Sequence, residues 1–263
     1  MKYLKTFENK ELEKEIEYYD NGNIKCISYQ LNGKYHREDG PAYQSWYENG
    51  QKFYETYFIN GFIHREDGPC YQEWNKDGKK SVERYRINGK LHREDGPAEI
   101  TWNKNGQKSS ELYYINDLKH RIDGPAYQEW YENGDKKLKK YYLNNNLHKE
   151  DGPAIQEWYD NGQIKEEVYY INDKLHREDG PTYKGWYNNG QIKEEEYYIN
   201  DKLHREDGPT VQKWYENGKL YEKVYYLNDF ACKIEDWLKE LKEIKSPHYK
   251  EQKILYDMEK YNL

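Results

Sequence analysis

Cysteine is scarce in this chain: Cys26, Cys70 and Cys232 are an odd set with no Cys-x-x-Cys pair, and they do not follow the spacing that orders the other residues. That excludes a disulfide framework or zinc knuckle and suits a reducing compartment. No run of about 18 apolar residues occurs, so no transmembrane helix is expected. Residues 1–10 lack the apolar segment of a secretory leader, so a cytoplasmic location is expected. Gly-x-Ser-x-Gly and phosphate-cradling glycine loops are missing, and no enzyme, cofactor or metal is expected. Nor does a basic stripe exist: 42 Lys and Arg mix with 49 Asp and Glu for a net charge of −7, which disfavours duplex nucleic acid and anionic membrane as partners. Apolar residues make up only 35% of the chain and mean hydropathy is −1.40, values that in an irregular sequence would suggest disorder.

What the chain does have is aromatic residues and strict order. It holds 31 Tyr and 8 Trp, whose rings bury much area per residue while keeping a polar tip. The hexapeptide His-Arg-Glu-Asp-Gly-Pro stands at 36–41, 64–69, 92–97, 176–181 and 204–209, with near copies from His120 and His148, all at a step of 28 residues. Trp46, Trp74, Trp102, Trp130, Trp158, Trp186 and Trp214 keep the same step, as do the prolines from Pro41 to Pro209. One supersecondary unit is therefore stacked repeatedly, predicting an open, elongated array. A closed propeller is disfavoured because its blades need about 40 residues each.

Two turn signals punctuate each period. The first is Asn-Gly or Asp-Gly, as at Asn189-Gly190, and predicts a type I′ hairpin with Asn188 opposite Gln191. The second is Asn followed by Gly, Asp or Asn, as at Asn200-Asp201. Stretches between them, such as Thr182 to Tyr187 and Ile192 to Ile199, read as strands, giving two strands per period and a repeat spacing of roughly 9.6 Å. That pairing puts Trp186, Tyr197 and Ile199 on a buried face and Tyr187, Ile192, Glu194 and Tyr198 on the other. A two-residue second turn would put His204 on the Trp face, and a three-residue turn would put Leu203 there; the latter is preferred because it buries Leu91, Leu147, Leu175 and Leu203.

The expected fold class is mainly β, an open array of antiparallel β-hairpins with a short helical cap. Expected divisions are an N-terminal cap at 1–17, the repeats at 18–230 and a C-terminal cap at 231–263. In the last, Trp237, Leu238, Leu241 and Ile244 share a helical stripe, and Ile254, Met258 and Tyr261 a second. These helices read as a cap over the final repeat, with a docking helix the alternative.

His, Glu and Asp within one hexapeptide invite a metal or acid–base reading, but equivalent side chains of neighbouring copies are too far apart to share an ion. The structural reading gives Asp39, Gly40 and Pro41, with their equivalents, a tight bend. It also has Arg205 pairing with an acid of the neighbouring copy. Glu becomes Ile122 and Arg becomes Lys149 without interrupting the period, which a catalytic set would not tolerate.

The stretch from Trp186-Tyr187-Asn188-Asn189-Gly190 through Tyr197-Tyr198-Ile199-Asn200-Asp201-Lys202-Leu203-His204 resembles the MORN repeat variant of YwqK-type antitoxin proteins. The likeness covers roughly residues 15 to 230. The added Arg-Glu-Asp-Gly-Pro and longer period depart from the usual unit and resemble versions from large DNA viruses and phages. The resemblance implies a protein-binding β-hairpin array without shared catalytic residues. A protein-interaction scaffold is thus the leading expectation, with an antitoxin or immunity protein and a carbohydrate-binding repeat as alternatives. The expected contact surface is acidic and tyrosine-rich: Tyr131, Tyr159, Tyr187 and Tyr215 beside Tyr142, Tyr170, Tyr198 and Tyr226. The structural alternative is that these rings only cover the sheet. Neither the partner nor the oligomeric state follows from the sequence.

Overall fold

The computed structural model describes residues 11–261. Residues 1–10, most of the expected N-terminal cap, lie outside them. The described residues divide into two compact units, 11–121 with 126–134, and 122–125 with 135–261. Both are antiparallel meanders of hairpins that do not close on themselves.

In the first unit one period runs as follows. Tyr71–Trp74 forms a strand, a turn follows, and Lys80–Arg84 returns beside it. The returning strand then pairs on its other side with the next period's Glu99–Trp102. Tyr85 ends it, and Arg86–Ile87 and Lys90–Leu91 make a separate small hairpin before the hexapeptide begins at His92. The second unit repeats this plan with Tyr183–Trp186, Ile192–Glu196, Tyr198–Ile199 and Lys202–Leu203. The expectation of one long returning strand therefore changes: the main sheet has two strands per period, and the small hairpins hold their own ladders.

Both turns differ from the sequence expectation. At the first, Tyr187 N–H donates to the Gln191 carbonyl (2.8 Å) and Gly190 N–H to the Tyr187 carbonyl (2.9 Å). Only Gly190 has positive φ, at 83°. This is a type I turn closed by a left-handed glycine, rather than type I′. The extra residue is compensated by a bulge beside Trp186, which pairs with Ile192, while Gly185 pairs with Glu194. Beyond the bulge the expected pairing therefore holds. The second turn is the two-residue kind: Asn200 and Asp201 have φ of 51° and 66°, and Tyr198 pairs with Leu203. The preferred three-residue turn is incorrect, and His204 sits opposite Tyr197, donating its N–H to that carbonyl at 3.1 Å.

The repeating tryptophans are half-buried rather than fully enclosed. Within the repeats the fully enclosed positions are those after each hexapeptide proline: Ala42, Cys70, Ala98 and Ala126 in the first unit, Ala154, Thr182 and Thr210 in the second, all at 0% exposure. Cys70 thus does follow the period, at a place where small size is what counts. Ala98 N–H donates to Leu112 and its carbonyl accepts from Tyr85, both at 2.8 Å, so the residue is pressed between two returning strands. Burial pushes the Cys70 thiol up to about 11, an unreactive setting.

At the C-terminus, α1 (Ile234–Glu243) buries Trp237, Leu238 and Leu241 against Leu227, and Trp237 Nε1 donates to the Arg205 carbonyl at 3.2 Å. Ile244, expected on that stripe, is exposed. In α2 (Tyr249–Tyr261) the expected stripe of Ile254, Met258 and Tyr261 is also exposed, and Tyr249 and Tyr256 make the packing contacts instead.

Two outcomes test this architecture by urea unfolding. Ala98→Leu forces bulk between two strands and should destabilise by about 1–3 kcal/mol or more. Thr182→Ala removes the hydroxyl bonds to Tyr198 N–H and C=O (2.9 and 3.0 Å) and should cost only about 1 kcal/mol, since alanine fills the same place elsewhere. Deleting His64 to Leu91, one whole period, should leave a cooperatively folded protein by circular dichroism, because Ile63 then continues into His92 in register.

Candidate interaction surface

Each residue type of the hexapeptide has a separate placement. His36, His64 and His92 accept at Nδ1 from the backbone N–H of Asn60, Asn88 and Asn116 in the next period's second turn, at 3.0 to 3.3 Å. His148 and His176 do the same in the second unit with Asn172 and Asn200. Each such ring then carries its proton on Nε2. His204 Nδ1 is buried without a donor.

The arginine does not reach the neighbouring copy as expected. Arg65 Nε donates to Asp67 of its own hexapeptide at 2.7 Å, an Nη donates to the Pro69 carbonyl at 3.3 Å, and the guanidinium lies 4.1 Å from the Tyr57 ring centre. Arg177 makes the same clasp with Asp179, Pro181 and Tyr169. This explains the glycine, since a Cβ on Gly68 would come within 3.1 Å of the Arg65 guanidinium carbon. The bend expected at Asp-Gly-Pro is thus held down by its own arginine. Lys149 keeps the stack, 4.3 Å over Tyr141.

The glutamate is different. Glu38, Glu66 and Glu94 in the first unit, and Glu150 and Glu178 in the second, have side chains 81 to 87% exposed. The histidine Nε2 two residues back lies 3.6 to 3.9 Å away. Open cavities lie between successive hexapeptides: about 660 Å³ between those of Arg65 and Arg93, with Tyr85 and Ile87 as wall, and about 470 Å³ between those of Lys149 and Arg177, walled by Tyr169 and Ile171. Glu206 is only 30% exposed; near it Gln252 of α2 donates to the Asp207 carbonyl at 2.9 Å.

The tyrosines singled out by sequence fall into two rows, not one stripe, separated by the returning strand. Tyr159 and Tyr187 donate their hydroxyls to the carbonyls of Trp186 and Trp214, one period on, at 2.8 Å. Tyr215 is exposed, with its ring 4.4 Å from Tyr221, while Tyr131 is half-buried. At the small hairpins, Tyr142, Tyr170, Tyr198 and Tyr226 are half-buried, and Tyr198 donates to Glu196 at 2.9 Å. Burial, then the facing glutamate, raises the Tyr198 phenol. Sequence reasoning missed the glutamate row as a surface because it treated the hexapeptide as one structural block; the signal available was Ile122, which is 86% exposed in the same slot.

Three of the repeats match a known model. The family described as MORN repeat variant matches residues 155–172, 182–200 and 210–228. MORN repeats are generally protein- or membrane-interaction scaffolds and typically non-enzymatic. None of the curated proteins matches the chain. Among solved structures, one titled "Crystal Structure of TcdB2-TccC3-TEV" aligns at 13% identity and a TM-score of 0.15, over 72% of this chain and 13% of that one, a likeness too low to carry an argument. Among the described residues no helix is long and apolar enough to cross a membrane, and no three metal-ligating side chains come together.

The clasp makes a pH prediction. The Nε–H of Arg37, Arg65, Arg93 and Arg177 holds the carboxyls of Asp39, Asp67, Asp95 and Asp179 below their ordinary value. A carboxyl lowered by folding stabilises the fold above its unfolded pKa and loses that contribution as pH falls through the folded value. The melting temperature should therefore drop as pH is taken below about 4, and aspartate-to-asparagine variants at these positions should flatten that drop. At neutral pH, Arg65→Ala should cost about 1–2 kcal/mol.

Proposed function

We propose that this protein is a non-catalytic scaffold that binds another protein along an acidic, tyrosine-bearing surface. The observation that carries the reading is the exposed glutamate row. His, Arg, Asp and Gly of the hexapeptide are all consumed by bonds or close packing within the array, whereas the glutamate recurs almost without contact. Between successive glutamates lie cavities with tyrosine and isoleucine walls, room for a partner's side chains. Repeats about 9.6 Å apart, from two strand spacings each, lie close to the advance of about 9.3 Å made by three residues of polyproline II. An extended segment with a basic residue at every third position would therefore meet a carboxylate at each step, and half-buried tyrosine edges supply further contact area at low entropic cost.

Affinity capture from the native host tests this, using the intact chain and a Glu38→Lys, Glu66→Lys, Glu94→Lys variant. The variant should match the parent in circular dichroism and melting, because these side chains are solvated. It should lose a protein that the parent retains, and that retention should weaken with salt. Capture of no protein by the parent would end the scaffold reading; equal capture by both would remove the glutamates from it.

A further inference from the structure

Two periods of the second unit change the sign of a repeated charge on the returning strand, at Lys139 and at Lys223, and of the two Lys223 has a carboxylate partner, Glu259 at 3.0 Å. In the first unit Glu55, Glu83 and Glu111 occupy the same place on the returning strand, and each pairs with the lysine three residues earlier, Lys52, Lys80 and Lys108. Glu55 accepts from Lys52 at 2.6 Å, and its charge also reaches the hexapeptide arginine of its period, Arg65. One carboxylate thus pairs with one cation and lies near a second. In the strand Lys136–Lys140 the same register position is Lys139, which faces Gln156 as Glu55 faces Gln72. The neighbours that the carboxylate would have served are still cationic: Lys136 three residues before and Lys149 in the arginine slot.

By register, therefore, three lysines take the places that Lys52, Glu55 and Arg65 hold in an earlier period, with an ammonium where that period has its carboxylate. Burial lowers the Lys139 ammonium, and Lys136 and Lys149 lower it further; no carboxylate offsets them. Among the described residues none of the three lysines has an ion pair; Lys139 and Lys149 instead lie over the rings of Trp158 and Tyr141, at 5.8 and 4.3 Å.

We propose that Lys136, Lys139 and Lys149 form a binding site for a doubly charged oxyanion of the phosphate-monoester class. A phosphate monoester carries about −1.5 to −2 charges at neutral pH and three acceptor oxygens, matching three ammonium donors better than a single carboxylate would. On a surface of near-identical repeats such a site occurs once, so an anion borne by a bound polypeptide would set its register. The site itself does not depend on the glutamate row or on the protein-binding reading.

The test is a titration of the intact protein with inorganic phosphate at constant ionic strength, with chloride as reference, followed by amide chemical shifts and melting temperature. Phosphate should raise the melting temperature by a few degrees relative to chloride, with saturable shifts centred on Lys139 and Lys149. Lys139→Glu should melt higher than the parent in chloride, because Lys136 regains its partner, and should bind phosphate roughly tenfold more weakly or worse. Lys139→Gln, which removes the charge without creating an ion pair, should also lose the phosphate response. A phosphoserine peptide binding more tightly than inorganic phosphate would identify a polypeptide-borne group, and equal binding a free phosphate compound; either result upholds the site. An identical response in the parent and Lys139→Glu, or shifts scattered over lysines throughout the chain, would overturn it.

Discussion

Within each unit, hydrogen bonds left open by one period are closed by the next. Tyrosine hydroxyls reach the following tryptophan carbonyl, histidine Nδ1 receives the following turn's N–H, and first-turn asparagines such as Asn49 and Asn189 donate to carbonyls 27 residues on. At the second turn, Asp117, Asp173 and Asp201 give their N–H to a leucine carbonyl one period back, and their carboxylates accept that leucine's N–H. Every one of these links requires the same chain step. An insertion of one residue would unmake several at once, which accounts for a period that never slips.

This way of holding a chain together explains its composition. A one-layer sheet has no thick interior, and its fully buried side chains are small residues pressed between returning strands, supported by half-buried rings. Bonding along the backbone and between periods replaces the aliphatic core of a globular domain, so 35% apolar content suffices. The ends show the converse. Where the repeats stop, α1 brings Trp237, Leu238 and Leu241 to make an ordinary hydrophobic cluster, the usual means of closing an exposed sheet edge.

The same economy separates structure from surface. Positions that serve the stack are recognisable because something touches them; Glu66 and Glu94 stand out because almost nothing does. Lys139 stands out for another reason: a repeated charge changes sign there, and unlike Lys223, which pairs with Glu259, it has no ion pair among the described residues. A repetitive protein carries its own internal controls, and departures from the period are as informative as the period.

The residue spacing alone was enough to establish a hairpin array, the location of both turns, the strand pairing beyond the first turn and the C-terminal helices, because turn residues and alternating apolar positions act locally. It could not establish the bulge beside Trp186, which hides one residue without altering the pattern further along the strand. It could not show that Arg177 folds back onto Asp179 and Tyr169 instead of crossing to its neighbour, since both partners are equally available on paper. The two-residue second turn is held by contacts from the preceding period, as Asp201 is by Leu175. Such choices depend on what lies alongside each residue once the periods are stacked, and adjacency between chain segments 28 residues apart exists only in the folded molecule.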